Sequence, residues 1–212
     1  MREAEGETPA DGRGAAGSSK KIVASRVCPA WVGYLLSHPL RRLFQDPYRV
    51  LSPYIRPGMR VLDIGPGMGF FSLPLAEMAG PEGKVICIDI QEKMLRVLRR
   101  RAERKGLSGR IETRLNNEDS LDLSDLHESM DVALAFAVVH EIPDKTRLFS
   151  EVCSALKANG KVLLVEPKAH VSEAAFEETL AIAKGICLDP QAWPQIWGSR
   201  SVLLGKRGQK GN

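Results

Sequence analysis

Three glycines at alternate positions mark the stretch of sequence best suited to hold a ligand. Gly65, Gly67 and Gly69 lie in "VLDIGPGMGFF", where an apolar run ends in Asp63. Glycines here let the backbone turn tightly and remove the side chains that would hold a ligand away. A second acid, Asp89, ends the next apolar run, and an acid about twenty residues beyond such a loop can bind the hydroxyls of a ribose. The pattern therefore predicts a ligand that carries a nucleoside.

The spacing of the glycines separates two kinds of nucleotide ligand. The dinucleotide fingerprint places its third glycine three positions after the second, and that position is Phe70 in this chain. A buried acid such as Asp63 disfavours a nearby pyrophosphate and favours a cation, such as an α-amino group. We therefore expect a positively charged ligand with a ribose, and a nicotinamide oxidoreductase is the disfavoured alternative.

A second group of polar residues follows two later apolar runs. His140 and Glu141 follow "DVALAFAVV", while Glu166, Lys168 and His170 lie at and after the end of "KVLLVEP". These five residues are expected to form a small polar cluster. A histidine can take a proton near neutral pH, so His140 is the candidate catalytic base, and the alternative is that it only lines a pocket. Zinc would suit histidine and carboxylate ligands, but no local ligand spacing supports a metal, and none is predicted. For Glu166 we expect contacts to the backbone or to a helix end.

These polar residues follow the strands of an alternating pattern of strands and helices. The predicted strands are "RVLDIG", "KVICIDI", "IETRLNN", "DVALAFAVV" and "KVLLVEP", with shorter ones near residues 186–188 and at "RSVLLGK". Asp144 is expected to cap a helix that ends at Gly160, and Ser172 to begin the next helix. Such alternation predicts a doubly wound parallel sheet with helices on both faces, which binds its ligands beyond the carboxyl ends of the strands.

Several blocks of the sequence, in order, resemble one enzyme family. "VLDIGPGMG" followed by "VICIDIQEKML" resembles the class I methyltransferases that depend on S-adenosylmethionine (SAM), and "DVALAFAVVHEIPD", "LKANGKVLLVEP" and "SRSVLLGK" resemble their later blocks. Within that family, the chain looks like small bacterial or archaeal methyltransferases of unassigned substrate. The resemblance implies a Rossmann-like α/β fold with a mainly parallel seven-stranded sheet, an antiparallel edge strand and SAM as the cofactor.

The resemblance also assigns roles by position. Asp63 and the three glycines would surround the methionine part of SAM, Asp89 would bind the ribose hydroxyls, and Ile90 would pack against adenine. The family usually has an acid near the adenine amine at the end of the third strand, but here Asn117 stands at that position, with Glu118 next. The predicted cofactor-binding residues are thus Asp63, Gly65, Gly67, Gly69, Asp89, Ile90, Asn117 and Glu118.

The chain divides into three predicted regions. Residues 1–20 are small, polar and glycine-rich, so we expect a disordered tail. Residues 21–57 are apolar but interrupted by prolines, which predicts a helical lid over the carboxyl edge of the methyltransferase domain at 58–207. Trp31 and Tyr34 would then join His140 and Glu141 in the acceptor pocket, although aromatic residues at such spacing are more often core.

Composition limits the classes of partner. A net charge of +4 is too weak on its own to indicate nucleic acid, and the longest apolar run, 132–139, is too short to span a membrane. The four cysteines include no CxxC pair; Cys87 and Cys153 lie in apolar patterns and are expected to be small buried hydrophobes, which fits a reducing cytoplasm. The sequence leaves the oligomeric state open.

The leading functional hypothesis is SAM-dependent methyl transfer to a small-molecule acceptor. The alternatives are methylation of RNA or protein and a non-catalytic SAM-binding protein. No tetrapeptide like Asn-Pro-Pro-Tyr follows the fourth predicted strand, where the chain reads "AVVHEIPD", which counts against methylation of base amino groups.

Overall fold

Seven strands form a single sheet in the order β3-β2-β1-β4-β5-β7-β6. The structure is a computed structural model and describes residues 45–117 and 119–208. The strands are β1 (Arg60–Ile64), β2 (Lys84–Asp89), β3 (Ile111–Leu115), β4 (Met130–Phe136), β5 (Leu156–Pro167), β6 (Leu188–Ala192) and β7 (Ser199–Lys206). The α-helices are α1 (Pro47–Leu51), α2 (Ser72–Ala79), α3 (Glu92–Arg104), α4 (Lys145–Ala155) and α5 (Glu173–Ile186), and short 3₁₀ turns lie at Ser124–Leu126 and Val139–Glu141.

The sheet confirms the predicted doubly wound, mainly parallel fold. Strands β1 to β5 pair in parallel, while β7 runs antiparallel between β5 and the edge strand β6. The chain winds outward from β1 through β2 to β3, then returns to place β4 on the other side of β1. With right-handed crossovers, this reversal places successive helices on opposite faces and opens a crevice at the carboxyl ends of β1 and β4.

Alternate residues of each strand supply two separate cores. Leu62 and Ala133 pack towards α4 and α5, whereas their neighbours Val61 and Val132 pack towards α1, α2 and α3. Strands buried on both faces must be apolar along their whole length, which explains why these runs lack polar alternation. The sheet is therefore a rigid base for the loops at its carboxyl edge.

Helix capping follows the sequence, but one helix is shorter than predicted. The Asp144 side chain accepts a hydrogen bond from the Arg147 amide at 2.9 Å, and Ser172 caps α5 as expected. However, α4 ends at Ala155 rather than at Gly160, because Leu156 is extended, pairs with Met130 and is fully buried. The burial of Leu156 in the core outweighs the helical propensity of residues 156–160, so these residues begin β5 instead of extending α4.

One other boundary differs from the sequence-based expectation, and the segment predicted to be a lid is described only at its end. The strand predicted near 186–188 instead covers Leu188–Ala192, where Pro190 is accommodated in an edge strand. Of the segment predicted to be a lid, residues 21–44 lie outside the described part of the chain. Leu51 and Ile55 belong to the same core as α2 and β1, so the end of that segment packs as part of the domain.

The cysteines differ in their surroundings. Cys87 is fully buried, as predicted, and burial raises the pKa of its thiol well above the usual value. Cys153 of α4 is joined by a disulfide to Cys187, which directly follows α5, with a distance of 6.4 Å between their Cα atoms. The expectation that Cys153 is only a small hydrophobe is therefore wrong, because the packing of α4 against α5 brings two residues 34 positions apart into contact.

In the described part of the chain, no helix is both long and apolar enough to cross a bilayer.

We predict that reduction of the Cys153–Cys187 disulfide destabilises the protein. The closed loop has a sequence separation of 34 residues, for which loop entropy gives a loss of about 4 kcal/mol in the free energy of unfolding. Denaturant titration with and without reductant measures this change. A variant with both Cys153→Ser and Cys187→Ser is the control and should not respond to reductant. Mass spectrometry that finds every cysteine alkylated without prior reduction would contradict the disulfide.

Candidate cofactor and acceptor site

A cavity of about 440 Å³ lies along the carboxyl edge of the sheet. Parallel strands β1, β2, β4 and β5 bring their carboxyl ends to this edge, and antiparallel β7 brings its amino end, with Trp197 and Ser199. Predicted site residues from four separate segments line it: Asp63, Gly65, Gly67, Asp89, Ile90, Asn117, His140 and Glu141.

The remaining predicted residues are placed otherwise or not described. Gly69 does not line the cavity; it faces α3 instead. Glu118, Trp31 and Tyr34 lie outside the described residues, so their roles stay predictions. Gln45, at the start of the described chain, does line the cavity and donates a hydrogen bond to the Trp197 carbonyl at 3.3 Å.

The three loop glycines serve different purposes. All have positive φ angles, of 67° at Gly65, 54° at Gly67 and 83° at Gly69. A Cβ on Gly65 would meet Val138 at 2.6 Å, and one on Gly69 would meet Leu98 at 2.3 Å, so the protein itself leaves these two no room. A Cβ on Gly67 would meet nothing within 4 Å. Of the three, Gly67 alone lines the cavity and also has open space where a side chain would stand.

Asp63 is an almost fully buried carboxyl group at the end of β1. It is 2% exposed, and the Ser72 hydroxyl at the start of α2 donates a hydrogen bond to it at 2.6 Å. Burial raises the pKa of Asp63 to about 7, against a smaller opposing effect of the Ser72 hydrogen bond, and the nearby Asp89 raises it further. A cationic ligand would stabilise the ionised form of this carboxyl group, because the positive charge would offset the free-energy cost of burying the carboxylate.

Asp89 ties the glycine loop to the end of β2. Its two carboxylate oxygens accept hydrogen bonds from the Gly67 amide at 3.2 Å and from the Gln91 amide at 2.8 Å. Burial raises the pKa of Asp89, while these backbone donors lower it. Each oxygen retains acceptor capacity for a ligand hydroxyl. Ile90, which follows, is 36% exposed on the cavity wall, where it can pack against a flat ring.

The end of β3 offers a different amide from the one predicted. The Asn117 Oδ1 already accepts the amides of Asp119 and Ser120, each at 3.0 Å, and so closes a turn. The neighbouring Asn116 lines the same cavity, and its buried Oδ1 has no hydrogen-bond partner within the described part of the chain. Sequence reasoning missed Asn116, because adjacent asparagines give no signal of which side chain closes the turn.

His140 is held by a buried glutamate from the next strand. Glu166, 2% exposed, uses Oε1 to accept the Val139 amide at 2.8 Å and the His140 amide at 3.3 Å, and its Oε2 lies 2.5 Å from His140 Nδ1. The expected backbone contacts of Glu166 are therefore present, and Glu166 lies beside His140 as the predicted cluster requires, although the hydrogen bond to the imidazole was not predicted. Hydrogen bonding to Glu166 raises the pKa of His140, while burial opposes the shift.

The lining of the cavity is mostly apolar. The rings of Phe71 and Phe136 stack with their centroids 4.2 Å apart, and Trp197 is 68% exposed at the rim. The His170 ring lies 5.8 Å from that of His140. Among the described residues, Arg147 is the sole cation that lines the cavity, and it is paired with Glu151 at 2.9 Å. Nor does any cluster of three or more potential metal ligands occur in this part of the chain.

The fold and the composition of this edge define a class I SAM-dependent methyltransferase, as the sequence predicts. The family model described as "Methyltransferase domain" matches residues 55–204, which are most of the chain, and the chain therefore belongs to that family. SAM is confirmed as the cofactor of this class.

Curated relatives and solved structures agree with this membership. The chain is 27% identical over 146 residues to the ubiquinone/menaquinone biosynthesis C-methyltransferase UbiE of Shewanella piezotolerans, covering 68% of this chain and 57% of that protein. It is 32% identical over 132 residues to the UbiE of Ectopseudomonas mendocina, covering 62% and 50%. The chain thus spans about half the length of these curated relatives.

Two solved structures show the same fold at low identity. A SAM-dependent methyltransferase from Aquifex aeolicus superposes with a TM-score of 0.74 at 22% identity, covering 85% of this chain and all of that one. The geranyl diphosphate C-methyltransferase from Streptomyces coelicolor, solved with Mg²⁺, geranyl diphosphate and S-adenosyl-L-homocysteine, gives a TM-score of 0.64 at 15% identity, covering 79% of this chain and 80% of that one.

We predict that Gly67→Ala mainly lowers ligand affinity, whereas Gly69→Ala mainly lowers stability. Both force an L-residue into a left-handed conformation, which costs about 1–2 kcal/mol of stability. Gly69→Ala must also displace Leu98 and should lower the free energy of unfolding further. Gly67→Ala should fold but lose affinity for S-adenosylhomocysteine, because its Cβ occupies the cavity side of the loop. Denaturant titration and calorimetry measure the two effects, and unchanged ligand affinity in Gly67→Ala would show that the ligand does not approach this loop.

The buried Asp63 gives a second prediction, which concerns pH. The pKa of Asp63 is about 7 in the folded chain against 3.8 for an unperturbed aspartate, so the folded chain keeps the proton to higher pH than the unfolded chain. Its contribution to the stability of the ligand-free chain is full below pH 3.8 and is lost as the pH rises through about 7. Affinity for a cationic ligand changes in the opposite direction, because only the ionised carboxylate attracts it.

We therefore expect the affinity for S-adenosylhomocysteine to rise about tenfold between about pH 6 and about pH 8. Asp63→Asn is the matched control, since the amide oxygen can still accept the Ser72 hydroxyl. Calorimetry over this range should show the rise in the unaltered chain and not in the variant. An equal rise in both would assign the titration to another group.

Proposed function

We propose that the protein transfers the methyl group of SAM to a small-molecule acceptor bound beside His140. The observation that carries this proposal is the shared cavity: the glycine loop with Asp63 and Asp89 lines one part of it, and His140 with an apolar wall lines another. A cofactor bound at the loop and an acceptor beside the histidine would thus meet within one cavity.

The residues present fit the cofactor. Asp63 would bind the α-amino group, the open side of Gly67 would admit the ligand, Asp89 would bind the ribose hydroxyls, and Ile90 and Asn116 would contact adenine. When bound, SAM supplies a sulfonium methyl group whose bond to sulfur breaks with its electron pair left on the sulfur, giving S-adenosylhomocysteine. The protein would align the acceptor and exclude water, since the reactivity resides in the cofactor.

A small, mainly apolar acceptor suits the wall beside His140. Phe71, Phe136 and Trp197 supply aromatic surface, and the cavity volume lies in the range of small-molecule sites. The relatives named as C-methyltransferases of ubiquinone and menaquinone biosynthesis support a small-molecule acceptor. A cytoplasmic site of action is part of the proposal, although a disulfide such as Cys153–Cys187 is more usual in an oxidising compartment. The alternatives are an RNA or protein methyltransferase and a SAM-binding protein without turnover.

Methyl transfer from SAM labelled in its methyl group tests the proposal. Purified protein is first titrated with SAM and with NAD, then incubated with separate panels of small hydroxyl, thiol, amine and carbon-acid acceptors, with total RNA and with protein. We expect SAM binding, no NAD binding and label in a small-molecule fraction. Label in RNA or protein would support the first alternative, and binding without any transfer the second. Binding of NAD without SAM would overturn the proposal altogether.

A further inference from the structure

The contact between Glu166 and His140 has a chemical consequence that backbone capping does not require. Glu166 Oε1 alone satisfies the amides of Val139 and His140 at the start of the 3₁₀ turn. The second oxygen, Oε2, lies 2.5 Å from the imidazole Nδ1. A carboxylate can only accept, so a neutral His140 must carry its proton on Nδ1 to make this hydrogen bond. His140 Nε2 then holds the lone pair of the ring.

The geometry leaves Nε2 as the ring nitrogen available to the cavity. His140 lines the cavity, whereas Glu166 lies behind it and is 2% exposed. Nε2 is 4.0 Å from Glu141 Oε1, beyond hydrogen-bond distance. The aromatic wall of Phe71 and Phe136 borders the same space. An acceptor placed there would meet the basic face of the imidazole.

From this arrangement we propose that Glu166 is a positioning residue that holds neutral His140 in the Nδ1-protonated form and thereby makes Nε2 the base for the acceptor. The inference rests on the proposed function and narrows its acceptor class. Nε2 takes the proton from the acceptor atom, the electron pair of that bond forms the new bond to the methyl carbon, and the histidine later releases the proton to solvent. The acceptor is therefore a hydroxyl, a thiol or an acidic carbon, because an amine with a lone pair or a thioether needs no such base.

The charged groups around His140 agree with this role. Glu166 raises the pKa of His140 most strongly and Glu141 adds to it, whereas burial and Lys145 at the start of α4 lower it. Within residues 45–117 and 119–208, His170 from the segment after β5 is the other imidazole near His140, with 5.8 Å between the ring centroids. The negative charge of Glu166 makes Nε2 a stronger base. It also stabilises the imidazolium that forms when Nε2 has taken a proton.

Glu166→Gln separates the backbone contacts of Glu166 from its contact with the imidazole, because the backbone amides fix the orientation of the glutamine side chain. The amides of Val139 and His140 both need an acceptor, so the glutamine oxygen must replace Oε1. Its NH₂ group then faces Nδ1 and donates to it. The proton of neutral His140 must move to Nε2, and the base is lost while the turn keeps its hydrogen bonds.

Nitrogen-15 NMR of the histidine rings tests this directly and needs no acceptor. The full chain is labelled at its four histidines and saturated with S-adenosylhomocysteine, and the His140 signals are assigned with His140→Gln. The spectra are recorded above the raised pKa of His140, where the ring is neutral. There we expect the Nδ1-protonated tautomer in the unaltered chain and the Nε2-protonated tautomer with a lower pKa in Glu166→Gln. Glu141→Gln, which removes a nearby charge without touching Nδ1, should keep the unaltered tautomer. An Nε2 proton in the unaltered chain, or an unchanged tautomer in a folded Glu166→Gln, would overturn the inference.

The result in the unaltered chain decides the matter even if Glu166→Gln does not fold. With an acceptor from the panel above, Glu166→Gln should lower kcat by about 10²–10⁴-fold and leave the affinity for S-adenosylhomocysteine unchanged. A purely structural role would leave kcat and its pH profile unchanged in the folded variant. Failure to bind SAM would overturn the proposed function and not the tautomer, whereas the wrong tautomer with intact binding would overturn only the role of Glu166.

Discussion

A buried carboxylate must be hydrogen-bonded, and this requirement organises the carboxyl edge of the sheet. Asp63, Asp89 and Glu166 end β1, β2 and β5, and each is at most 9% exposed. Each accepts hydrogen bonds from the segment that follows a strand: Asp63 from Ser72, Asp89 from the glycine loop, and Glu166 from the turn after β4. The same groups that would bind or activate ligands therefore also hold the loops in place.

Two of these carboxylates each fasten a loop to the neighbouring strand of the sheet. Asp89 connects the end of β2 to the loop after β1, and Glu166 connects the end of β5 to the turn after β4. Each contact joins neighbouring strands of the sheet, so the register of the parallel pairing sets the distance between the loops. Removing one of these carboxylates would release a loop as well as a ligand contact, which is why the informative substitutions are isosteric amides.

Local sequence signals account for most of the fold and only part of the site. The glycine loop, Asp89 and the strands beside them were predictable because their signal is contained in one short segment. The end of α4 was not, because the burial of Leu156 depends on Met130 in another strand. The same holds for the disulfide of Cys153 with Cys187. That Glu166 and His140 share one polar cluster followed from their places after two strands, whereas the hydrogen bond between them did not. Each miss is a contact between distant segments that no local pattern encodes.

The position of β7 inside the sheet has a consequence for synthesis of the chain. Strand β7 pairs with β5 on one side and with β6 on the other. Both β5 and β6 therefore lack this partner until residues 199–206 have left the ribosome. Until then the nascent domain exposes the backbone groups of β5, a surface on which strands of other chains can pair. Trp197, just before β7, and Ser199, its first residue, line the cavity, so this part of the lining is synthesised after the glycine loop. A chain whose synthesis stops early would thus hold the cofactor loop without a completed pocket.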